Sequence, residues 1–139
     1  MNHFNSDTEI IDLISKFEDQ TLARADWTHA AHLTVALFYC TSHQFGVARN
    51  LMRDGIFLLN EAHGTPNTDD SGYHETLTRF WTEAVNDFMH SRPKGEALFL
   101  IANAMIEKLG DTALPLRIYS RERLFSVTAR REFVAPDLV

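Results

Sequence analysis

Apolar residues recur at intervals of three and four along five successive stretches of this chain, and that period constrains the fold more than any other feature. A period near 3.6 lays such residues along one face of an α-helix, whereas a half-buried strand needs alternation. No alternating run of useful length occurs. The clearest stripe is His29, His32, Leu33, Ala36, Leu37 and Cys40. It follows Thr28 (with Asp26 as the alternative cap), whose short side chain can accept from an orphan N–H of a first turn, and it predicts a helix over 28–42. Ser6-Asp7-Thr8-Glu9 is a capping box, which predicts a helix over 7–23 with Ile10, Leu13, Ile14 and Phe17 facing inward. A third helix over 44–63 carries Ala48, Leu51, Met52 and Leu59, and Gly64 is its stop.

Gly64 to Gly72 is dense in turn formers and too polar for a core, so it is the loop most expected to border a functional cavity. After it, a fourth helix over 72–90, capped by Asp69, Asp70 or Ser71, carries His74, Leu77, Trp81, Val85 and Phe88. A fifth over 95–109 carries Leu98, Ile101, Ala102, Met105 and Leu109. In the remaining tail, Ser120 and Ser126 have the character of N-caps of short helical turns. The expected fold class is all-α, a single helical domain over 1–139 built as an antiparallel bundle of four to five helices with short C-terminal helical turns.

Composition closes off several functions. A net charge of −6 argues against a nucleic-acid partner, since phosphates demand a clustered positive surface. Only residues 117–139 depart from this, with five arginines against three acidic groups. Cys40 is the sole cysteine, which rules out an intrachain disulfide. The start of the chain has neither a basic nor an apolar leader region, and no apolar run approaches a membrane span. The expectation is a cytoplasmic protein with no membrane partner, open to a small-molecule ligand and to homodimer formation.

The chemistry centres on histidine. Trp27-Thr28-His29-Ala30-Ala31-His32-Leu33 sets two imidazoles one turn apart at a helix start, close enough to share an ion. Gly72-Tyr73-His74-Glu75-Thr76 offers a third at another helix start, and His63 a fourth beside the same loop. These residues point to a metal site of His29, His32 and His74, with His63 nearby, for a divalent transition metal: zinc, iron or nickel. Glu75, about 100° around the helix from His74, suits a general base to metal-bound water or a small substrate, a partner that orients a ligand, or an N-terminal charge that favours the helix dipole. The alternative from another class is a non-enzymatic small-ligand-binding or interaction domain whose histidines and Tyr73 only hydrogen-bond around an apolar pocket. A purely structural homodimer is a third reading. His3, His43 and His90 sit on polar stretches and are assigned no role. In the tail, Arg117, Tyr119, Arg121 and Arg123 could hold an anionic group, Tyr119 and Arg121 joining Tyr73 as candidate ligand-binding residues, or else form surface ion pairs with the acidic body. No phosphate loop, GxSxG elbow, HExxH or CxxC occurs.

The segments WTHAAHL at 27–33, GYHETLT at 72–78 and YSRERLFS at 119–126 together resemble a family of short, uncharacterised bacterial proteins. That resemblance implies a bacterial source and one compact domain, and it carries over no catalytic residue. In architecture alone, a bundle with histidines at helix starts is similar to the DinB-like metal-binding bundles, whose ligand spacing this chain does not reproduce.

Overall fold

The computed structural model describes residues 3–139. Five main helices are followed by two short ones: α1 (Asp7–Glu18), α2 (His29–Ser42), α3 (Phe45–His63), α4 (Glu75–His90), α5 (Leu98–Leu109), α6 (Arg121–Leu124) and α7 (Val127–Arg131). Single 3-10 turns occupy Arg24–Asp26 and Leu114–Arg117, and no strand forms among the described residues.

Helix α2 is central and packs against α1, α3, α4 and α5. The six-residue stripe captures only part of its burial. Thr34, Val35 and Tyr39 are buried as well, because a helix apolar on every side belongs inside a bundle rather than on its surface. Thr34 is tolerated there because its hydroxyl donates back to the Ala30 carbonyl at 2.7 Å. Around α2, the core gathers Ile10, Ile14, Phe17, Leu33, Leu37, Met52, Leu59, Val85 and Met105, each fully or almost fully buried. Each such side chain contributes about 1.5–3 kcal/mol relative to exposure. Gly55 sits where α3 crosses α1, and a Cβ there would lie 2.4 Å from the Phe17 ring. The absent side chain lets the two helices close. On the opposite side, Cys40 faces α4, with its thiol 4.0 Å from the Thr82 carbonyl.

The local caps form where the sequence places them. Ser6 accepts from Glu9 N, Thr28 from Ala31 N, Ser120 from Arg123 N and Ser126 from Ala129 N. The return arm of the first capping box goes to Asn5 N instead, 2.7 Å from Glu9 Oε1. Three predicted helices prove shorter, and one of them, α5, begins at Leu98 rather than 95. Helix α1 ends at Glu18 rather than near 23, since Gln20 takes the left-handed φ of 58°. Helix α4 begins at Glu75 rather than 72, with His74 as its cap.

The tail folds back on the bundle. Tyr119, Leu124, Ala129 and Val134 form a small second core against Leu77 and Phe80 of α4. The Tyr119 hydroxyl donates to the Val134 carbonyl at 2.6 Å, and Thr76 bonds the backbone on both sides of Phe133. Among the described residues no helix is long and apolar enough to cross a membrane.

Candidate functional site

Two concavities flank the turn-rich loop, and their walls share Tyr73. The first is a cavity of about 410 Å³ between the start of α2, the end of α3 and the start of α4. Trp27, His32, His63, His74 and Trp81 are in its wall, with Arg24, Asn60 and Thr65 among the polar remainder. The second is a groove of about 900 Å³ lined by α3, the loop and the C-terminal strap, with Arg53, Phe57, Glu75, Arg130 and Arg131 among its residues.

The loop between them is braced. Asn67 Oδ1 accepts from both Asn60 Nδ2 and Tyr73 N at 2.9 Å, and Ser71 donates to the Pro66 carbonyl at 2.9 Å. Gly72 completes the turn with φ of 80°, and a Cβ on it would meet the Pro66 carbonyl at 2.5 Å. Only glycine satisfies both demands.

The four candidate histidine ligands are placed differently. His29 turns away from the cavity: its Nε2 lies 3.0 Å from the Leu109 carbonyl and its ring meets Trp81 edge-on at 4.5 Å. A carbonyl can only accept, so that nitrogen carries the proton. His63 does likewise toward the Leu22 carbonyl at 2.7 Å, while Arg24 donates to the backbone carbonyl of His63. His74 uses both nitrogens. Its Nδ1 accepts from Leu77 N at 3.1 Å to cap α4, and its Nε2 donates to the Leu124 carbonyl at 2.8 Å. Burial lowers its pKa, and the bond to Leu124 partly offsets that.

His32 is the exception. Its Nε2 is buried with no hydrogen-bond partner among the described residues, and the ring tilts against Trp27 at 5.3 Å. Burial, and secondarily the neighbouring His29, push its pKa down to about 4, so it is neutral near pH 7.

The predicted metal trio of His29, His32 and His74 is therefore not gathered around one point. Among the described residues no group of three or more His, Cys, Asp or Glu side chains is placed to hold an ion. Ligation by His74 would require it to surrender its cap or its bond to Leu124. Glu75 lines the groove rather than the cavity, where its Oε1 accepts from the Tyr73 hydroxyl at 2.5 Å. Burial and that carboxylate together push the Tyr73 pKa up. Tyr119 is 2% exposed with its hydroxyl committed to Val134, and Arg121 is exposed on α6; neither lines the cavity or the groove. The arginines that do meet the groove from the tail are Arg130, which donates to the Gly72 carbonyl at 2.9 Å, and Arg131, whose Nε donates to Asp69 at 2.7 Å.

Sequence reasoning did not assign Arg24, Trp27 or Asn60 to a site. Their only signal was proximity to a histidine or to the loop, and no helical spacing reveals a void where three helices meet. Comparison with protein-family models, with curated proteins and with solved structures finds no match for this chain.

Proposed function

We propose that this protein binds a small molecule in the cavity walled by Trp27, His32 and Trp81. The observation that carries the reading is the enclosed wall itself, in which two indoles, His32 and Arg24 surround about 410 Å³. The buried, unpartnered Nε2 of His32 costs about 1–3 kcal/mol, and a ligand recovers much of that cost where the ring turns this nitrogen into the cavity. The setting suits such a ligand. Two indoles and the side chains of Ile56 and Leu77 provide apolar wall, a few polar groups converge on it, and the volume falls in the usual range of roughly 300–1,000 Å³ for small-molecule sites. His29, His63 and His74 support this arrangement by fixing Leu109, Leu22 and Leu124 to the helix ends around the cavity.

The chain has only two tryptophans and both line the cavity, so intrinsic fluorescence reports on this one place. A panel of single-ring probes, benzoate, benzyl alcohol and benzylamine, tests the reading with an anion, a neutral molecule and a cation of similar size. At least one should change the emission saturably and raise the melting temperature, and His32→Phe should weaken both effects. If no member of the panel alters either observable, the reading is lost.

A further inference from the structure

The walls of the cavity carry a second message, in their charge. Arg24, His32, His63 and His74 are among its thirteen lining residues, and none of the thirteen is Asp or Glu. With His32 and His74 neutral, the positive charge of this wall is that of Arg24, set in a chain that has 19 acidic residues against 13 basic ones. Resting on the small-molecule reading above, we infer that the ligand is an aromatic acid, its carboxylate set toward Arg24 and His32 and its ring against the two tryptophans.

Each wall group has a part in this assignment. The Arg24 guanidinium has five N–H donors in a planar fork, and its one hydrogen bond among the described residues is from Nη2 to the His63 carbonyl. No carboxylate forms an ion pair with it among the described residues, so its charge stays available to an anion. Neutral His32 is in the wall and can donate from one ring nitrogen, which suits an acceptor oxygen. Asn60 and Thr78, also in the wall, can turn a donor inward without introducing negative charge. Trp27 and Trp81 offer flat apolar surface, and aromatic rings pack on such surface with about 0.5–1.5 kcal/mol beyond simple burial. A cationic ligand would meet Arg24 with no carboxylate to compensate it. A neutral ring would gain the indole contacts and leave the guanidinium unused.

The test uses the full chain at pH 7 and low salt, with binding read by tryptophan emission. Benzoate should bind at least tenfold more tightly than benzyl alcohol, and benzylamine should bind more weakly than either. Arg24→Gln should bring the benzoate to benzyl alcohol ratio to about one, and Arg24→Lys should restore part of the preference. Arg131→Gln, in the groove, should leave the ratio as it is. Comparable affinity for the acid and the alcohol, tighter binding of the amine, or a preference that survives Arg24→Gln would each overturn the aromatic-acid assignment and leave the cavity reading standing. Failure of all three probes to bind would overturn both.

Discussion

The cavity and the groove meet at Tyr73, yet their polar groups are disposed in opposite ways. The groove contains three arginines and five carboxylates, and many of these serve one another. Arg131 pairs with Asp69, Arg53 with Asp54, and Glu75 receives the Tyr73 hydroxyl. The cavity has no carboxylate, His63 and His74 each donate to a backbone carbonyl, and His32 Nε2 has no partner among the described residues. An exposed ion pair is worth little because water competes with it, so the groove's wealth of charge says little about a ligand. A buried nitrogen has no such recourse to solvent. The smaller and less charged of the two concavities is for that reason the more informative one.

The sharpest way to break this contrast is Trp81→Ala. Trp81 is 5% exposed and belongs to both the core and the cavity wall, so its truncation should cost about 3–5 kcal/mol in urea unfolding and abolish probe binding. A cost below about 1 kcal/mol would mean that the cavity wall is as loosely held as the groove.

Acid comes next. The folded chain keeps His32 neutral down to about pH 4, whereas the unfolded chain protonates it near its ordinary 6.5. Between those limits the unfolded state binds the additional proton, so stability falls as the pH drops from about 6.5 to about 4, by about 3 kcal/mol for this group. Burial of His74 acts in the same direction. His32→Phe should remove most of this dependence when urea midpoints are compared at pH 7 and pH 4.5, and should raise stability at pH 7 by relieving the unpartnered nitrogen. An acid limb equally steep in the variant would place the titration elsewhere.

The smallest effect belongs to the groove. Arg131→Gln removes an ion pair whose side chains are 67% and 53% exposed, and should shift stability by less than about 1 kcal/mol with probe binding unchanged. A larger loss would show that the strap holding Asp69 is part of the cavity after all.

How much of this was legible in the sequence follows from what each element needed. Ser6, Thr28, Ser120 and Ser126 act on backbone three residues away, and their helices begin where local chemistry places them. The start of α4 was misplaced because its cap is an imidazole, oriented by a carbonyl fifty residues later at Leu124. The start of α5 depends in the same way on α1, since Phe99 N donates to Asp7 Oδ1 at 2.8 Å. Periodicity sees neither partner. It also gave His29 and His32 one shared face, and both rings do turn inward. Their environments then diverge within a single turn, one toward Leu109 and Trp81 and the other toward Trp27. That divergence depends on which helix ends meet, information that no single helix contains.

Cys40 adds a property of a different kind. Its thiol lies between α2 and α4, close to the Thr82 carbonyl, and burial pushes its pKa up to about 11. A disulfide reagent reaches such a group only while the two helices stand apart, so its labelling rate measures how often that seam opens. Because the cavity lies at the start of the same two helices, occupancy there should lengthen the labelling time without any contact at the sulfur. The chain thus contains its own kinetic probe, one thiol per molecule, for motions that equilibrium melting cannot time.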